Sequence, residues 1–80
     1  MKKATYKITT ENGKTRTFEC TEHHNEGDYG NGNYISIVRV EDNELMAYID
    51  VRYQKYVFES FCISYIKQYF GDNLLSFERV

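Results

Sequence analysis

The densest run of chemistry-bearing side chains is Glu22-His23-His24, preceded by Cys20 and followed by Glu26 and Asp28. Imidazole, thiolate and carboxylate are all ligands for zinc or another transition metal. The spacing argues against a metal centre. Adjacent histidines at a strand end point to opposite sides, and no Cys-x2-Cys or His-x3-His pair supplies further ligands. The stretch reads as a solvated polar loop. His23 and His24 remain the only candidate ligands, and no metal site is assigned.

Nucleophilic catalysis needs a thiol or hydroxyl beside a base. Cys20 and Cys62 each fall on the apolar face of the element that carries them, which makes them packing residues. Gly30-Asn31-Gly32 has the composition of a phosphate-cradling loop, but it lacks the Lys-Ser/Thr signature and no helix follows it. The twelve acids are scattered, and no catalytic carboxylate pair can be picked from them. No catalytic residue and no cofactor is assigned, and a non-enzymatic role is expected.

The elements that position these groups are compatible with one domain spanning residues 1–80. Hydrophobic residues make up 41% of the chain, with eight Tyr, five Phe and no Pro or Trp. That excludes a disordered tail. No apolar run approaches ~18 residues, so no transmembrane helix is expected. Met1 to Tyr6 has basic residues without an apolar stretch behind them, which is not a signal peptide. A cytoplasmic, reducing setting is therefore expected, with Cys20 and Cys62 as thiols rather than a bridge.

Residues 4–22 read as a β-hairpin. A three-residue loop, Glu11-Asn12-Gly13, pairs Tyr6 with Phe18 and Ala4 with Cys20, whereas a two-residue Asn-Gly turn would put the apolar sets on opposite faces. Residues 23–33 read as a loop, with three Gly and three Asn in eleven positions. Residues 34–53 read as a second hairpin turning at Asp42-Asn43. That register pairs Val40 with Leu45, Val38 with Ala47, Ser36 with Ile49 and Tyr34 with Val51 on the inner face. Residues 55–70 read as an amphipathic helix ending at Gly71, with no capping side chain at its start. Residues 74–80 read as a short last strand or an ordered tail, able to fold over the outer sheet face. Strands followed by a helix imply an α+β fold: a four-stranded, mostly antiparallel sheet with one C-terminal helix on one face.

The outer face of the second hairpin is the expected partner-binding surface. Ile35, Ile37, Met46 and Tyr48 form an apolar cluster there, ringed by Arg39, Asp50 and Arg52. Charge is segregated along the chain: net +4 over residues 1–18, −7 over 19–50 and +1 over 51–80. Glu41, Asp42 and Glu44 stand out as an acidic docking surface for a basic partner. The expected function is a small protein-interaction module, with a second copy or another protein as partner. By analogy of size, it suits a phage or mobile-element accessory protein. Nucleic-acid binding through Tyr, Arg and Lys on the sheet is the alternative. No membrane partner is expected.

Overall fold

The computed structural model describes residues 2–25 and 32–80. Its strands are β1 (Lys3–Thr10), β2 (Thr15–Asn25), β3 (Gly32–Arg39), β4 (Glu44–Asp50) and β5 (Leu74–Arg79). They form one antiparallel sheet in the order β4-β3-β2-β1-β5, and helix α1 (Phe58–Phe70) connects β4 to β5. The α+β reading holds, with the tail as a fifth strand. That strand pairs with β1, so it sits at the edge remote from β4 and does not fold over the outer face. No helix among the described residues is long and apolar enough to cross a membrane.

The first hairpin has the expected register, with Tyr6 opposite Phe18 and Ala4 opposite Cys20. Its loop is Glu11-Asn12-Gly13, closed by the Gly13 amide donating to the Thr10 carbonyl at 2.9 Å. Gly13 has φ +79°, a conformation that costs glycine no Cβ clash. β2 then runs three residues further than the sequence suggests, to Asn25, and β3 begins at Gly32. His23, His24 and Asn25 are thus strand residues. The rest of the expected loop lies outside the described residues.

The second hairpin is out of register with the expectation. Tyr34 faces Asp50, Ile35 faces Ile49, Ser36 faces Tyr48 and Ile37 faces Ala47. The turn takes four residues, Val40 to Asn43, with Asn43 at φ +58°. Val38 then faces Leu45, leaving Met46 as an extra residue in a β-bulge. The register change reverses β3, so Ile35 and Ile37 are fully buried and Tyr34, Ser36 and Val38 face outward. The reason is polarity: Tyr34 and Ser36 carry hydroxyls, while Ile35 and Ile37 bring only hydrocarbon into the core. In β4 the bulge lets Met46 and Ala47 both pack inward, and it turns Leu45 out.

Helix α1 starts three residues later than expected, after Val57, which offers no side-chain cap. Tyr56 is held by the sheet instead: its hydroxyl donates to Glu22 Oε2 at 2.5 Å and accepts from Asn33 Nδ2 at 3.2 Å. Phe58, Cys62 and Ile66 form the buried stripe. Glu59, in the first turn, receives the Arg79 Nε–H at 2.5 Å and the Tyr6 hydroxyl at 3.3 Å. Burial, reinforced by Glu59, pushes the Tyr6 phenol up to about 12. Gly71 ends the helix at φ +56°, its amide donating to the Lys67 carbonyl. Tyr69, near the end of the helix, is exposed. In β5, Phe77 faces Ile8 while a bulge at Leu75 turns that residue outward.

The two faces of β3 should respond differently to truncation. Ile37→Ala is expected to cost ~2–4 kcal/mol in urea unfolding, against less than ~1 kcal/mol for Val38→Ala. Equal costs would contradict the register.

Candidate interaction face

On the outer face, cross-strand neighbours line up in rows. One row runs Asp50, Tyr34, His23, and the next runs Tyr48, Ser36, Thr21, Lys3. The rings of His23 and Tyr34 stack with centroids 4.5 Å apart, and those of Tyr34 and Tyr48 stack at 4.3 Å. His23 Nε2 and Ser36 Oγ share a hydrogen bond of 2.8 Å. Three rings therefore form a ladder across β2, β3 and β4. Below it stand Val38, Leu45 and Val40. Tyr48 is 59% exposed, Leu45 56% and Val40 49%, so an apolar patch lies open on one half of this face.

The other half is polar. Thr5, Lys7 and Thr9 of β1 and Thr17 and Glu19 of β2 share it, with Glu78 opposite Lys7. Lys3 pairs with Glu19 at 3.9 Å. An exposed pair of this kind contributes little, ~0–1 kcal/mol.

Of the residues expected to form the partner surface, Tyr48, Asp50 and Arg52 are exposed, and the first two lie on the outer face. Arg52 Nε donates to Asp50 at 2.9 and 3.0 Å, and its guanidinium lies 5.2 Å from the Tyr53 ring centre. Its stem crosses Gly32, where an added Cβ would fall 1.9 Å from Arg52 Cγ, so only glycine admits this path. The hydrogen bond to Arg52 holds Asp50 below its ordinary carboxylate value. Ile35 and Ile37 are core residues, as the register requires, and cannot touch a partner. Met46 packs against the core through its bulge. Arg39 belongs to the inner face, opposite Phe18.

The expected acidic docking surface is largely occupied within the chain. Arg39 reaches Asp42 at 2.8 and 2.5 Å and Glu44 at 2.5 Å. Glu41 accepts the Thr17 backbone N–H at 2.9 Å. That hydrogen bond lowers the Glu41 pKa. These carboxylates help to close the turn, and Arg39 offsets one of their three charges.

The histidines do stand on opposite sides. His24 Nε2 lies 3.9 Å from Glu22 Oε1, on the side away from His23. Glu26, Asp28 and Tyr29 lie outside the described residues. Among the described residues, no group of three or more His, Cys, Asp or Glu is placed to hold a metal ion. Cys20 and Cys62 are free and buried. A hydrogen bond between their thiols and then burial push Cys20 well above the ordinary thiol value, which suits packing rather than nucleophilic attack.

Sequence reasoning missed Tyr34, Val38, Val40 and Leu45 as surface residues, and missed the part-buried Glu22–Tyr56 pair. The hydroxyls of Tyr34 and Ser36 were the available signal for the first. Nothing in the spacing of residues 22 and 56 announces the second. A scan of family models, a search of curated proteins and a search of solved structures each return no match.

The Arg39 cluster makes a pH prediction. Hydrogen bonding to Arg39 lowers the Asp42 pKa to about 2. A depressed folded-state pKa stabilises the fold above the unfolded value of ~3.9, and the contribution is lost as pH falls through about 2. Arg39→Gln should return the Asp42 midpoint, followed by carboxyl NMR, toward the ordinary value. Its stability deficit should shrink as pH falls over that window. An unmoved midpoint would remove Arg39 as the cause.

Proposed function

We propose that this chain is a non-enzymatic protein-interaction module that docks through the outer face of β3 and β4, first of all onto a second copy of itself. The observation that carries this reading is the open patch of Tyr34, Val38, Val40, Leu45 and Tyr48. Patches of Tyr and aliphatic side chains are where protein interfaces place their energy. The rim favours a like partner. Asp50 is paired with Arg52, and Arg39 offsets one of the two charges of Asp42 and Glu44, which reduces the repulsion between two such patches facing each other across a two-fold axis. A small domain without a disulfide also gains the most from added buried surface. A cytoplasmic setting and a role as a mobile-element accessory protein belong to this proposal by analogy of size alone.

The nucleic-acid alternative is less well supported. Base stacking needs free ring faces, and the ladder uses most of its faces internally. The lysines of the outer face, Lys3 and Lys7, stand beside Glu19 and Glu78, which weakens phosphate attraction. An enzymatic reading has no better footing. The Ser36–His23 hydrogen bond lies on a flat strand surface whose backbone N–H groups are engaged in the sheet ladder, leaving no donors for an oxyanion.

Light scattering at rising concentration should give twice the 9.5 kDa of one chain. The double variant Leu45→Glu, Tyr48→Glu should return the single-chain mass with an unchanged circular dichroism spectrum. A wild-type monomer at every concentration would defeat self-association. Salt-dependent retention of a labelled oligonucleotide, weakened by Lys7→Ala, would favour the alternative.

A further inference from the structure

Cys20 and Cys62 are the two cysteines of the chain. They stand far apart in sequence, and the fold brings them together. Cys20 belongs to the inner face of β2, the central strand of the five. Cys62 is the middle member of the buried helix stripe Phe58, Cys62 and Ile66. Both are 0% exposed, and both are free thiols. The two thiols are hydrogen-bonded to each other across the interface of sheet and helix.

That interface has few other ties. The strands are joined by continuous ladders, whereas the helix has no side-chain cap at its start. Among the described residues, and apart from the thiol pair, the side-chain hydrogen bonds between helix and sheet all end on Glu59, in the first turn. A covalent link at Cys62 would hold the middle of the helix, where no polar contact does. It would also close a loop containing all of β3 and β4, and long loops restrict the unfolded chain the most.

We propose that Cys20 and Cys62 are a reversible redox clamp. Reduced, they pack as neighbouring thiols; oxidised, they join α1 to β2 by a disulfide. The oxidant is a low-molecular-weight disulfide such as oxidised glutathione. One protein thiolate attacks it, releasing one glutathione thiolate and leaving a mixed disulfide. The second protein thiolate attacks the protein sulfur of that mixed disulfide and releases the second glutathione thiolate. The two released glutathiones carry away the two electrons and the two thiol protons. Both cysteines are buried, so the first attack occurs when the helix lifts from the sheet, and its return completes the second. The clamp lies inside the core and stands independently of the outer face.

The wild-type chain tests this directly. After equilibration with oxidised glutathione in excess over reduced, intact mass should show a single chain lighter by two hydrogens. Peptide mapping should join the Cys20 and Cys62 peptides. The clamped protein should keep its circular dichroism spectrum and unfold at higher urea. The amides of Cys62 and Ile66 should exchange ~tenfold more slowly than in the reduced chain, and dithiothreitol should reverse each change. Cys62→Ala should take up at most one glutathione, at Cys20, and gain no resistance to urea. Two free thiols at equilibrium, the result expected of packing alone, would overturn the proposal. So would two glutathione adducts, a bridge between two chains, or a bridged chain that unfolds at lower urea.

Discussion

The parity of β3 is the constraint on which the rest of the molecule depends. Side chains alternate across a strand, so one decision places every residue of β3 at once. Burying Ile35 and Ile37 sends Tyr34, Ser36 and Val38 outward. The aromatic ladder follows directly, because Tyr34 then stands between His23 and Tyr48, with rings stacked on both sides. The same decision places Arg39 inward, opposite Phe18. A single register thus generates the outer patch and the charged end of the inner face together.

Arg39 shows how the fold tolerates the consequence. An inward guanidinium near a core is expensive unless it is hydrogen-bonded. The four-residue turn supplies Asp42 and the first residue of β4 supplies Glu44, and both carboxylates reach it. The Met46 bulge is the geometric counterpart. One extra residue in β4 lets Ala47 and Ile49 stay opposite Ile37 and Ile35 while Glu44 comes level with Arg39. Asp42 and Glu44, which in sequence look like a surface for attracting a basic partner, also take part in closing a hairpin.

This explains what could be read in the sequence and what could not. The first hairpin was legible because its turn has one glycine, and only one register puts Tyr6, Ile8, Phe18 and Cys20 on a common face. The helix was legible from its spacing, and its end from Gly71. Its start was not, because Tyr56 is held by Glu22 and Asn33 from strands far away in sequence, and no local signal records that tether. The second hairpin failed because both of its faces are apolar enough to be buried. A bulge is also invisible to strict period-two reading: Tyr48 was assigned to the correct side, while Leu45 and Met46, beyond the irregularity, exchanged sides.

A further limit is geometric. Five strands at ~4.8 Å spacing make a sheet ~19 Å across, while one helix with its side chains is only ~10–12 Å wide. The buried stripe of Phe58, Cys62 and Ile66 fits over the middle of the sheet, where the small thiols of Cys20 and Cys62 allow the helix to come close. Towards β5 the gap is closed by Phe77 with Lys67 above it, the ammonium 5.4 Å from the ring centre. Towards β4, at the turn end, Tyr69 remains exposed. The open end of the inner face at the two hairpin turns is therefore what a single helix leaves uncovered on a five-stranded sheet.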